Sequence, residues 1–294
     1  MSPTKITNKD EGDLIGKWTE EKLDLLGKYL KAYSDIMHKK KEDWLTAYYC
    51  IDAFAGSGNP KSKDENRYIA GSPLRALQCD PPFDYYKFIE LKSRRIKKLK
   101  TIKEKYSYLD IEILPGDCNK ILINKIIPEI TWESFKRGFV FLDPFGLQVS
   151  YETVQKLAEA KTFDVFINFP IMGIIRLLKR NEIPSGNTKL LIDKVFGTTE
   201  WIKRIYRLRK TLFGDELIER DSIRAEWLAR EYLEQVTNHF KYVSFPVTMK
   251  NSINVPLYAL FLASHKKTGV KIANDIFSNY ERLKTKQFLE KYFG

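Results

Sequence analysis

The stretch Tyr48-Tyr49-Cys50-Ile51-Asp52-Ala53-Phe54-Ala55-Gly56-Ser57-Gly58 is an apolar, β-forming run that ends in an acid and then turns over small residues. A buried parallel strand delivers its C-terminal end to a nucleotide-like ligand in this way. Gly56 and Gly58 tolerate positive φ and let backbone approach a ligand closely, and Asp52 stands where it can accept hydrogen bonds from ligand donors. A second acid-ended run, Gly138-Phe139-Val140-Phe141-Leu142-Asp143, passes into Pro144-Phe145-Gly146. The pair predicts a shared β-layer with the carboxylates of Asp52 and Asp143 side by side on one rim, flanking a single cleft.

Outward from these two strands the pattern alternates. Strand-like runs cover 84–89, closed by Glu90, then 111–114 and 163–167, and helical patterns fall over 93–106, 119–129 and 150–160. Alternating β and α units predict a doubly wound, mostly parallel sheet. Lys241–Met249 and Val255–Ala263 are joined by a short Asn-Ser-Ile-Asn connection, which reads as a hairpin and makes one edge strand antiparallel. The fold expected is a seven-stranded α/β sheet with one antiparallel edge strand and a helical insertion between strands 5 and 6. Three units follow: an N-terminal helical extension at 1–46, a core formed by 47–171 and 239–294, and a basic helical cap at 172–238. In the extension, Leu23, Leu26, Leu30 and Tyr33 mark the buried face of a helix from Thr19 to His38. After the glycine turn a polar loop, Asn59 to Ala70, comes before a helix with Ser72 as its N-cap and Pro73 at its first position. A charged loop at the ligand end of a sheet is a natural lid or substrate contact.

Composition narrows the partners. Fifty Lys and Arg against 38 acids give a net charge of +12, which favours a polyanion such as DNA or RNA. Cys50, Cys79 and Cys118 lie far apart, and His38, His239 and His265 have no ligand spacing, so neither a metal site nor a disulfide framework is expected. The first residues lack an apolar signal core and no run reaches the roughly 18 apolar residues of a membrane span, so a cytoplasmic protein without membrane contact is expected.

The strand-end acids carry the chemistry. Glu90 holds the position where an acid grips the two hydroxyls of a ribose, which a nicotinamide or flavin dinucleotide would use equally well. Asp117 could bond an adenine amino group, and Cys118 could pack against that ring. At Asp143-Pro144-Phe145-Gly146, a carboxylate and a carbonyl could orient an exocyclic amine whose lone pair is delocalised into its ring. Phe145 could stack on a planar base, and Gly146 would let it come close. Asn168, in Asn168-Phe169-Pro170, is expected to line the same pocket. Asp80-Pro81-Pro82-Phe83 spells an amino-methyltransferase tetrapeptide more literally, but it precedes a strand and reads as a turn. No Pro-Cys pair follows the fourth strand, which argues against covalent cytosine chemistry. Lys92–Lys105 holds eight cations and one acid on an amphipathic helix with a solvated outer face. In the cap, Lys203, Arg204, Arg207, Arg209 and Lys210 are interleaved with Trp201, Tyr206 and Phe213, a composition suited to a single strand or a flipped base, with Arg204 and Arg207 as substrate contacts.

The Asp52 turn and the Asp143 segment are similar to the cofactor and catalytic motifs of class I S-adenosylmethionine-dependent methyltransferases, a Rossmann-like family. Tyr29-Leu30-Lys31-Ala32-Tyr33, Ile51 to Gly58, Gly71-Ser72-Pro73-Leu74, Asp143 to Gly146 and Leu257 to His265 further resemble the three-Cys-motif partner (TcmP) family over nearly the whole chain. The resemblance implies S-adenosylmethionine held by Asp52, Phe54, Ala55, Gly56, Gly58, Glu90, Asp117 and Cys118. It implies catalysis by Asp143, Pro144 and Phe145, and association with a separate iron–sulfur-type three-cysteine protein. Three functions stay open: methylation of an amino nitrogen, a non-catalytic accessory subunit that binds cofactor and nucleic acid, and nicotinamide-dependent oxidoreduction. The missing third glycine after Gly58 and the terminal hairpin speak against the last.

Overall fold

The computed structural model describes residues 14–63, 67–210, 216–220 and 225–293. In chain order its elements are α1 (Lys17–Lys40), β1 (Ala47–Asp52), α2 (Ser72–Leu77), β2 (Tyr85–Glu90), α3 (Ser93–Lys105), β3 (Ile111–Pro115) and α4 (Cys118–Ile121). There follow β4 (Lys136–Leu142), α5 (Tyr151–Ala160), β5 (Phe163–Phe169), α6 (Ile171–Ile175), α7 (Gly186–Phe196), α8 (Trp201–Ile205) and α9 (Ala225–Thr237). A two-piece strand β6 (Tyr242–Val243 and Val247–Lys250), β7 (Pro256–Ser264) and α10 (Lys267–Phe293) close the chain.

The sheet runs β3-β2-β1-β4-β5-β7-β6. Five strands are parallel, and β7 reverses against β5, with Phe261 opposite Ile167. Both pieces of β6 lie on the outer side of β7, so the reversal occurs one position inside the edge. This is the doubly wound, mostly parallel sheet read from the sequence. All six residues of β1 are buried, as a central parallel strand covered on both faces requires.

Each face has its own core. On one side α1, α2, α3 and α10 cover Tyr48, Phe88, Phe139 and Phe166. On the other, Val140, Val165 and Phe261 share a single cluster with Ile192, Phe196, Trp201, Leu228 and Tyr232 from the 172–238 segment. Gly138 permits the close packing of strands: a Cβ there would stand 2.7 Å from the Phe163 ring and 3.1 Å from Ile51.

Three local expectations are corrected. The 172–238 segment is not wholly helical, because Tyr206–Lys210 and Glu216–Arg220 pair as an antiparallel hairpin. Trp201 and Tyr206 are not stacking platforms: they are 1 % and 6 % exposed, and Trp201 donates its indole N–H to Asp193 Oδ1 at 2.7 Å. Phe213 lies outside the described residues. Gly71, not Ser72, is the N-cap of α2, and Ser72 is the first helical residue. The Asp80 turn does precede β2, where Pro81 and Pro82 carbonyls accept from Ser34 and Tyr48. Among the described residues, no helix is long and apolar enough to cross a membrane.

Candidate active site

Strand order reverses between β1 and β4, the switch point where open α/β sheets place their ligands. Asp52 pairs in register with Phe141, so Asp143 emerges one residue beyond the end of β4 on the same rim. Asp52 is 2 % exposed. Its Oδ1 accepts the Phe54 amide at 3.0 Å, while Oδ2 and the nearby Ser57 Oγ are buried with no hydrogen-bond partner. Burial pushes the Asp52 carboxyl up to about 7; the Ser72 hydroxyl and the Phe54 amide pull it back, the charge of Asp143 adds to the rise, and Lys22 opposes it.

Asp143 is held from two directions. Asn168, fully buried on β5, donates Nδ2 to its Oδ1 at 2.6 Å, and Lys22 from α1 forms an ion pair with its Oδ2. The Lys22 side chain is 8 % exposed and that of Asp143 is 23 % exposed. The Lys22 ammonium also lies 5.9 Å from the Phe141 ring centroid and 5.8 Å from that of Tyr258. Neither Lys22 nor Tyr258 was recognisable as a site residue from the sequence. One trace existed: Lys22 precedes Leu26 by four and Tyr29 by seven, on the buried stripe of α1.

The segment after Asp143 is fixed by a buried polar network. Asn119 donates Nδ2 to the Gln148 carbonyl at 2.8 Å, and its Oδ1 accepts from the Ser150 amide, the Ser150 hydroxyl and the Thr153 hydroxyl. The Gln148 side chain takes the Phe145 amide at 2.9 Å. Pro144 is buried, whereas the Phe145 ring stands out with 87 % exposure. Gly146 has φ +103°, and nothing lies within 4 Å of where a Cβ would be. Beside them a small apolar cavity of about 10 Å³ is lined by Leu142, Pro144, Gly146, Asn168, Phe169 and Tyr232.

The remaining expected residues divide. Gly56 and Gly58 have φ +62° and +74°, and a Cβ on Gly58 would meet Ile102 of α3 at 2.5 Å. Phe54 is half-buried and Ala55 buried in the same turn. Glu90 reaches the rim but already accepts the Leu91 and Lys92 amides on Oε1, and Arg95 lies 3.6 Å from Oε2. Asp117 caps α4, accepting the Lys120 amide at 3.1 Å. Cys118 is buried in the core, where burial pushes its thiol up to about 12. Arg204 is ion-paired with Glu231, and Arg207 sits exposed on the insertion hairpin. The loop after Gly58 is tied down: Lys61–Ser62 pairs with Leu14–Ile15, and the Ser62 hydroxyl donates to Glu20 of α1 at 2.8 Å.

These groups fit S-adenosylmethionine. Asp52 Oδ2 and Ser57 Oγ are buried polar atoms in want of partners, next to a glycine turn that brings bare backbone to the rim. Lys22 is the one buried cation at this rim among the described residues, since Lys87 is paired with Glu112 and Glu129, and Arg137 lies at the start of β4.

Comparison with known proteins agrees with the fold. The chain is similar to protein LPL1258 from Legionella pneumophila, at 12 % identity and TM-score 0.51, over 88 % of this chain and 92 % of that one. Looser similarities include an S-adenosylmethionine-dependent methyltransferase from Clostridium acetobutylicum, at 11 % identity and TM-score 0.37, over 83 % and 92 % of the two chains. Another is the N-terminal domain of EvdMO1, solved with S-adenosylhomocysteine, at 10 % identity and TM-score 0.38, over 82 % and 81 %. No protein-family model matches the sequence, and no curated protein matches it. The first of these similarities shows the fold, and resemblance to the three-Cys-motif partner family rests on the motifs quoted above.

Proposed function

We propose that the chain is an S-adenosylmethionine-dependent methyltransferase whose acceptor is an exocyclic amino nitrogen of a nucleic-acid base. The observation that carries this reading is the switch-point crevice, where a buried Asp52 with an unpartnered oxygen shares a rim with Asp143 and an outward-facing Phe145. When bound, the cofactor supplies an electrophilic methyl carbon on a sulfonium.

The chain's own residues do the rest. Asp52 accepts ligand hydrogen bonds on Oδ2, and Ser57 adds a hydroxyl. The three donors of the Lys22 ammonium suffice for Asp143 and for a second carboxylate, such as that of the cofactor's amino-acid end. Each oxygen of Asp143 has one contact here and a further lone pair, so it can take an acceptor N–H and hold the amine's lone pair in line. Asn168 and Lys22 fix that carboxylate so that little reorganisation is needed as charge develops on the nitrogen.

Incubation with methyl-labelled S-adenosylmethionine and total RNA, DNA and protein tests the reading. Label is expected in a nucleic-acid fraction; label confined to protein or small molecules overturns the acceptor, and absence of cofactor binding by calorimetry overturns the whole assignment. Because Phe145 is so exposed, Phe145→Ala should leave the melting temperature unchanged. It should weaken nucleic-acid binding by about 1–3 kcal/mol if the ring stacks on a base.

A second reading draws on the closure of Asp143 by Lys22 and Asn168. A non-catalytic subunit that binds cofactor and nucleic acid beside a three-Cys-motif protein would keep that ion pair shut. Cofactor binding without release of S-adenosylhomocysteine, with and without such a partner, would favour it.

A further inference from the structure

We infer that the outer face of α3 is a track for a nucleic-acid phosphate backbone, leading toward the switch-point crevice. The inference rests on the nucleic-acid acceptor proposed above and assigns it a surface. Across its 13 residues α3 carries Arg94, Arg95, Lys97, Lys98, Lys100, Lys103 and Lys105 against the single acid Glu104. Lys97, Lys100, Lys103 and Lys105 are exposed, and none of the five lysines has an ion-pair partner among the described residues. Several helical lysines elsewhere are balanced locally, as in Lys31–Asp35, Lys156–Glu159, Lys189–Asp193 and Lys203–Glu200.

Folding alone gives no reason for this pattern. Lys97, Lys100 and Lys103 follow one another at three-residue spacing, where like charges repel across the helix surface. The first turn holds Arg94 and Arg95 and no acid, the opposite of what the helix dipole favours. Only Leu99 is fully buried, so the apolar stripe is narrow and the charged face is wide. The sequence therefore carries a self-repulsive helix whose charge is complementary to an external polyanion.

Position ties this face to the site. The helix starts just beyond Glu90, whose carboxylate accepts the Lys92 amide and faces Arg95. Ile102 and Leu99 press on the back of the Gly58 turn. From there α3 extends about 20 Å down the flank of the sheet. Past its end Tyr108 is 76 % exposed, an aromatic face available to an unpaired base.

The test is anisotropy of fluorescein-labelled single-stranded RNA, single-stranded DNA and duplex DNA with the full chain, without cofactor, over about 50–200 mM salt. Lys97→Gln/Lys100→Gln/Lys103→Gln should bind at least about tenfold more weakly, with the log–log salt slope shallower by about 2, at about 0.7 per lost single-strand phosphate contact. The same variant should melt no lower than the parent, because its self-repulsion is relieved. Lys267→Gln/Lys271→Gln on α10 should bind like the parent. Unchanged affinity and slope in the α3 variant overturn the track. So does a parent chain that binds none of the three nucleic acids, or one that binds phosphatidylserine vesicles instead. None of these outcomes bears on cofactor binding, by which the methyltransferase reading is judged separately.

Discussion

Asp143→Ala is expected to lower methyl transfer by at least about 100-fold, the scale at which single electrostatic contacts to a developing charge are lost. Cofactor binding should survive, because Asp143 sits beyond the glycine turn and its removal frees Lys22 for another carboxylate. The substitution also strands the Lys22 ammonium, and breaking a buried pair from one side costs about 3–5 kcal/mol. With the Asp143 side chain 23 % exposed, and a lysine stem able to carry its head toward water, the cost here belongs near or below the lower end. A companion, Lys22→Met/Asp143→Ala, should regain most of that stability and none of the activity. Melting curves read the first effect and single-turnover labelling the second. A well-folded Asp143→Ala protein with full activity would remove this carboxylate from the mechanism.

Asp52→Asn should stabilise the fold at alkaline pH while abolishing cofactor binding. An aspartate in the unfolded chain ionises near 3.9, and in the folded chain burial pushes Asp52 up to about 7. Between those values the folded state holds more protons than the unfolded state. Stability therefore falls as pH rises from about 4 to about 7 and levels off above. Asparagine cannot ionise and escapes the decline. Variant and parent should melt together near pH 4 and diverge by pH 8, with a ceiling on the order of 4 kcal/mol set by the size of the shift. Asp164, also raised by burial, is common to both proteins and cancels in the difference. Equal gaps at pH 5 and pH 8 would show that Asp52 is not a buried neutral acid. Calorimetry with S-adenosylmethionine checks the other half: the amide exchanges an acceptor oxygen for donors, which a ligand offering N–H and O–H groups cannot use.

Strands were the legible part of this chain. A central strand buried on both faces leaves a continuous apolar record, and Ala47–Asp52 and Lys136–Leu142 lie close to where that record placed them. The acids closing them were legible for the same reason, since a charged residue marks where the buried layer stops. Ser72 was misread because Ser-Pro is a common helix start, whereas here Gly71 takes the cap position and Ser72 is the first helical residue. Lys22 was invisible because its meaning depends on a partner 121 residues away. Trp201 and Tyr206 looked like an aromatic, basic surface because alternation with arginine and lysine does not tell which side of a short helix and hairpin meets the sheet. Engagement of the Glu90 carboxylate by the Leu91 and Lys92 amides is likewise a property of the turn after β2, not of residue type.

The helix that delivers Lys22 is itself fastened at the neighbouring position: Glu21 accepts from Tyr280 at 2.8 Å and Lys284 at 2.6 Å, both on α10. One peptide unit thus separates a latch on the last helix from the ammonium that quiets Asp143. Anything that peels α10 away, whether a protease, a docking protein or a shortened gene product, would loosen the helix that holds Lys22 against Asp143. The rim that carries Asp52 and Asp143 is thus wired to the last helix.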